Sequence, residues 1–102
     1  MPDVRALARA YGVRVELDDL GDWGSATLIA EYDADVPAIR VNARALPQGS
    51  SCAVRDAVDR AVAHELYHHR EAIGEIPRLA NRAARERAAD AYAEALLARA
   101  DS

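Results

Sequence analysis

The longest helical pattern in the chain is "SCAVRDAVDRAVAHELYHHREA", residues 51–72. Its small and apolar side chains recur three and four positions apart. Val54, Ala57, Ala61, His64, His68 and Ala72 fall on or near one side. Arg55, Asp56, Asp59, Arg60 and Arg70 fall mostly on the other, which reads as a solvated face. Ser50 or Ser51 suits the N-cap, and Gly74 suits the stop. Pro77 has no amide proton and restrains Ile76, so the helix breaks before it. A last helix is expected over 78–100. Near the N-terminus, "PDVRALARAYG" predicts a short helix. Pro2 suits its first turn, Val4, Leu7 and Ala8 share a face, and Gly12 ends it. Three short runs predict strands at 13–17, 26–32 and Ala38–Asn42. "DDLGDWGS" is the loop between the first two, marked by glycines and aspartates.

The expected fold is α+β. An N-terminal helix precedes a small, three-stranded, mostly antiparallel sheet, and the long histidine-bearing helix packs against a C-terminal helix. At 102 residues the chain is long enough for one compact domain.

Composition narrows the picture. About half the residues are apolar (51%), but none is phenylalanine, so the core is expected to be built from Ala, Val, Leu and Ile. Thirteen basic residues against seventeen acidic ones give a net charge of −4, with no basic stripe. Direct nucleic-acid binding is therefore disfavoured. A lone cysteine, Cys52, rules out an internal disulfide and fits a reducing compartment. It is expected to be a small buried residue. No apolar run approaches the roughly 20 residues of a membrane span. The start lacks a signal-type apolar block, so the expected location is cytoplasmic.

The candidate chemistry lies in "HELYH". A helix turns about 100° per residue, so His64 and His68 project from one face about 6 Å apart along the axis. Both imidazoles can aim at one zinc ion. Glu65 sits about 100° round from His64. That is too far to share the same bond easily, but near enough to reach a water on the metal. Two ligands and one general base is the logic of HExxH. His69 lies about 140° from His64 and reads as a surface residue or a support behind the ligands. Tyr67 points away from His64 and reads as packing.

A catalytic zinc needs a third protein ligand. Glu71, Glu75, Glu86, Asp90 and Glu94 follow in sequence. Glu71 falls about 60° back from His68 and is expected to face solvent. Glu75 lies in the break between the helices. Glu86 is the best choice on physical grounds, because the break lets the last helix turn back beside the first. Asp90 lies one turn beyond it and can accept a hydrogen bond from the far nitrogen of a ligand histidine. Ala83, Ala84, Ala88, Ala91 and Ala95 are expected to let the two helices approach closely. The competing reading pairs Glu86 and Asp90 with Arg82, Arg85 or Arg87 on a solvated face.

Three stretches in this order resemble the ImmA/IrrE family of zinc metallopeptidases, of the gluzincin type. "AIRVNARAL" resembles the strand before the zinc helix, "AVAHELYHH" the zinc helix itself, and "ERAADAYAEALL" the later E-x-E-A-N-x-F-A-x-x-L-L helix. Tyr67 and Ala88 stand where the family commonly has glycine and a second acid. The resemblance implies a single zincin-like metallopeptidase domain over 1–102, with zinc on His64, His68 and Glu86. It implies Glu65 as the catalytic base and Asp90 at the supporting position. It implies a peptide or protein substrate, in the family a DNA-binding transcriptional regulator. The substrate is expected to lie extended along an edge strand, for which 26–32 is the candidate. Tyr67, His69 and Arg82 are candidates for the oxyanion donor. Two rival readings remain open: a zincin-like module that grips a regulator without cutting it, and a helical dimerisation protein with incidental histidines.

Overall fold

The computed structural model describes residues 3–21, 29–47 and 49–100. It is an α+β arrangement of three α-helices and a three-stranded sheet. Helix α1 (Val4–Ala10) begins where Asp3 accepts a hydrogen bond from the Arg5 amide. It buries Val4 and Ala8, four apart on one face. Gly12 turns the chain with a φ of +75°, a conformation that favours glycine. Strand β1 (Arg14–Asp18) follows.

Strands β2 (Ala30–Asp33) and β3 (Ala38–Asn42) form a tight antiparallel hairpin. Its turn is braced by the Asp33 carboxylate, which accepts from the Asp35 amide at 2.9 Å. The strand order is β1-β3-β2, and β1 runs parallel to β3. The sheet is therefore mixed, not mostly antiparallel as expected. Alternation locates strands but does not say which ones pair. The first and third strands match their expected positions to within a residue. The expected second strand began at 26, and residues 26–28 lie outside the described residues, as do Pro2 and the second half of the "DDLGDWGS" loop.

β3 is central, and Ala38, Ile39, Val41 and Asn42 are all buried. Ile39 and Val41 meet Val62 and Leu66 in the core. Arg40, between them, turns to the other face and pairs with Glu31 and Asp33 of the neighbouring strand. Asn42 accepts from the amides of Leu20 and Arg44 and donates to the Gly21 carbonyl. One buried amide side chain thus ties together both sides of the sheet's end.

Helix α2 (Ser51–Ala72) is capped by Ser50, whose hydroxyl accepts from the Ala53 amide. It ends in a left-handed Gly74, with the Gly74 amide bonded to the Glu71 carbonyl and the Glu75 amide to the Arg70 carbonyl. This pairing closes the last turn and satisfies carbonyls that would otherwise be stranded. Helix α3 (Arg82–Ala100) starts four residues later than expected. Asn81 caps it by accepting from the Ala84 amide, so the turn after Pro77 is longer than proline alone suggests. Glu86 consequently lies just over one turn into α3. The alanines that bury against the core are Ala89 and Ala93, followed by Leu96. Ala83, Ala91 and Ala95 are exposed. Arg60 of α2 pairs with Glu94 of α3 across the helix pair. Cys52 is exposed in the first turn of α2, contrary to expectation, because no element covers that turn among the described residues. Among the described residues no helix is long and apolar enough to cross a membrane.

Candidate metal centre

His64 and His68 lie one turn apart on α2, with ring centroids 5.2 Å from each other. They do not occupy the deepest face of the helix. Val62, Leu66 and His69 do, each buried against the sheet side. The two rings sit half-buried on the flank, where α3 meets them. A wheel drawn from α2 alone merges the two faces, because the seam exists only once α3 is in place.

α3 supplies two acids one turn apart. The Asp90 carboxylate lies 2.8 Å from His64 Nδ1. Glu86 Oε2 lies 2.7 Å from His68 Nε2 and 3.5 Å from His64 Nε2. A third acid comes from α2 itself: Glu71 Oε1 lies 2.8 Å from His68 Nδ1. Among the described residues Glu86 and Asp90 pair with the histidines and not with arginines on a solvated face.

An ionised carboxylate only accepts hydrogen bonds. Asp90 and Glu71 are therefore placed to hold an imidazole proton on each Nδ1, the tautomer a metal on Nε2 requires. The two Nε2 atoms are turned towards the same carboxylate oxygen of Glu86. A cation between them would replace the hydrogen bonds that these three atoms otherwise share. The ligand atoms of His64, His68 and Glu86 all lie within 4.8 Å of one another, so the group can hold a metal ion. Two imidazoles and one carboxylate form a donor set that divalent transition metals accept.

Glu71 was expected in solvent, and here the expectation fails. Its side chain is only 2% exposed. Arg85 of α3 lies over it and donates from Nε and Nη2 to its two oxygens, at 3.2 and 3.0 Å. This fork holds the carboxyl below the usual glutamate range, against its burial and with help from the His68 hydrogen bond. Glu71 thus stays ionised, as its grip on His68 requires. The sequence held one signal: the i, i+3 spacing of His68 and Glu71. Nothing in it placed Arg85 opposite.

Glu65 differs from the other acids. Its carboxylate makes no hydrogen bond among the described residues. Burial pushes its carboxyl above the usual range; the adjacent histidines oppose this, and Glu86 and Glu31 add to it. It lines a cavity of about 370 Å³ together with Tyr32, His68, Arg82, Arg85 and Glu86. An uncommitted, partly desolvated carboxylate beside a metal-ligand set is available to move a proton.

The remaining candidates are placed elsewhere. Glu75 binds the Tyr11 hydroxyl at 2.7 Å and Arg70 at 3.0 Å, and contacts neither His64 nor His68 among the described residues. Glu94 is taken by Arg60. Arg70, expected on the solvated face, is half-buried and stacks between the rings of Tyr11 and Tyr92. Tyr67 packs edge-on against His68 and tilted against Tyr92, as expected of a packing residue. His69 is neither a surface residue nor a support for the ligands. It is buried, and its Nδ1 lies 2.7 Å from the Tyr32 hydroxyl. Burial lowers the His69 pKa, which favours the neutral ring. Through this bond β2 is fastened to α2, and Tyr32 is held at the wall of the cavity. Strand alternation alone did not single out Tyr32.

Comparison with known proteins found no matching family model, no matching curated protein and no matching solved structure.

Proposed function

We propose that the protein is a zinc-dependent peptide hydrolase of the zincin type, as its resemblance to the ImmA/IrrE metallopeptidases implies. The observation that carries this reading is the convergence of His64 Nε2, His68 Nε2 and Glu86 beside an unpaired Glu65. His64, His68 and Glu86 would hold the ion. When bound there, zinc supplies a Lewis acid that polarises a carbonyl and acidifies water.

The residues of the chain do the rest. Asp90 and Glu71 keep both ligand rings in one tautomer and one orientation. The Glu65 carboxylate takes a proton from the attacking water and returns it to the departing amine. Its raised pKa suits both steps, since it accepts more readily than an exposed glutamate. Tyr32 and Arg82 line the same cavity and are the candidate donors for a developing oxyanion. β2 lies at the sheet's edge on this side and offers its backbone to an extended substrate. A regulator protein as substrate and a cytoplasmic location belong to the same proposal.

The test is a peptide library incubated with zinc-loaded protein and read by mass spectrometry. The expected result is cleavage that disappears with chelator and falls by roughly 10²–10⁴-fold in Glu65→Gln, while that variant binds zinc as tightly as the parent. A Glu65→Gln protein that keeps its full effect on a partner would instead make the domain a binding module.

A further inference from the structure

A second concave surface lies on the other side of the molecule and shares no lining residue with the metal centre. It is a groove of about 950 Å³ between α1, β1 and the first half of α2. That volume is at the upper end of the range of small-ligand pockets. Its floor is apolar and comes from three elements: Val15 of β1, Val41 of β3, and Val54 and Val58 of α2.

The rim has the opposite character. Arg5 and Arg9 of α1, Arg14 of β1 and Arg55 of α2 surround the floor, against a single acid, Glu16. The chain as a whole carries a net charge of −4, so this concentration runs against its composition. Arg5 is paired with Asp59 and Arg14 with Glu16. Arg9 and Arg55 have no acidic partner among the described residues. The first turn of α2, which also borders the groove, carries no acid, so the helix's positive end is uncompensated there.

One wall of the groove is an unpaired strand edge. β1 has β3 on one side and no strand on the other among the described residues. The Arg14 amide donates to the Pro37 carbonyl at the start of β3. Backbone groups alternate along a strand, so the amides and carbonyls of Val15 and Leu17 turn to the open side. Leu17 is 57% exposed there. An extended segment can satisfy these groups, cover the leucine and place acidic side chains against the arginines.

We propose that this groove docks an extended peptide segment of a partner protein, apolar at its centre and acidic at its flanks, which adds to the sheet alongside β1. The occupant is acidic because the rim is basic, and extended because the wall is a strand edge. The proposal is independent of the metal and of hydrolysis.

The test uses a labelled peptide with a valine-isoleucine centre flanked by glutamates, titrated into the full chain and followed by anisotropy and amide NMR. Saturable binding is expected, with the largest amide shifts at Val15 and Leu17 and none at His64 or His68. Arg9→Gln combined with Arg55→Gln should weaken it roughly fivefold to tenfold, because two exposed charges are lost. The same peptide with lysine for glutamate, or N-methylated along one edge, should not bind. Three results would overturn the proposal: equal affinity for the lysine peptide, amide shifts confined to the metal centre, or self-association of the chain through this face in the absence of peptide.

Discussion

Residues 51–60 and 61–72 of α2 belong to one unbroken helix, and both halves mix alanine and valine with charged groups. Their surroundings differ. In the first half every residue is exposed or half-buried, and Arg55 has no ionic partner among the described residues. In the second half Val62, Ala63 and Leu66 are fully buried, and His64, His68 and Glu71 each face a group of complementary chemistry. The first half borders a groove with positive charge left over. The second half borders the His64, His68 and Glu86 group, which can hold a metal ion. The same helical pattern thus yields opposite electrostatics, because α3 sets Glu86 and Asp90 against the histidines of the second half, whereas arginines of α1 and β1 rim the groove beside the first.

The largest effect should come from removing a ligand in the second half. His68→Ala should abolish stoichiometric zinc binding, while Asp56→Ala in the first half should leave it unchanged, both read by titration calorimetry. If the two variants bound equally, the contrast between the halves would be wrong. The core contrast comes next. Leu66→Ala, at a fully buried position, should cost about 2–5 kcal/mol in urea unfolding. Val54→Ala, half-exposed at the groove, should cost roughly 1 kcal/mol or less.

The support behind His68 gives a smaller effect and a sharper test. Glu71→Gln should weaken zinc binding about tenfold, and Glu71→Ala should approach a hundredfold, the usual range for partners that orient a ligand histidine. Unchanged affinity in both would show that the Arg85 clamp only joins the helices.

The smallest effect concerns pH. Hydrogen bonding to the Tyr11 hydroxyl holds the Glu75 carboxyl below its ordinary pKa; desolvation opposes this and Arg70 adds to it. A carboxyl with a lower pKa when folded stabilises above its unfolded value, near 4.3. That contribution is lost as pH falls through the lower folded value. The Tm difference between the parent and Glu75→Gln should therefore be present at neutral pH and disappear in strong acid. A difference that grows in acid would reverse this assignment.

The sequence made some of this legible and concealed the rest for identifiable reasons. α2 could be bounded from Ser51 to Ala72 because a serine cap and a left-handed glycine flank a strong period. His64, His68 and Glu86 could be grouped because helical spacing fixes the first two and the turn at Gly74 returns the chain for the third. Asp90 followed from its position one turn after Glu86. Glu71, Arg85 and the Tyr32–His69 pair were not visible, since their roles depend on which side chain of one element meets which of another. Parallel pairing of β1 with β3 was missed for the same reason: strand signals are local and pairing is not. The buried alanines of α3 were misassigned because in so alanine-rich a helix every face looks small.

The central claim is that His64, His68 and Glu86 form one cation site. The most direct measurement is calorimetric titration of zinc into metal-free protein, repeated on His64→Ala and Glu86→Ala with folding checked by circular dichroism. The account predicts one zinc per chain in the parent and its loss in both folded variants. Absence of stoichiometric binding, or binding unaltered by either substitution, would contradict it.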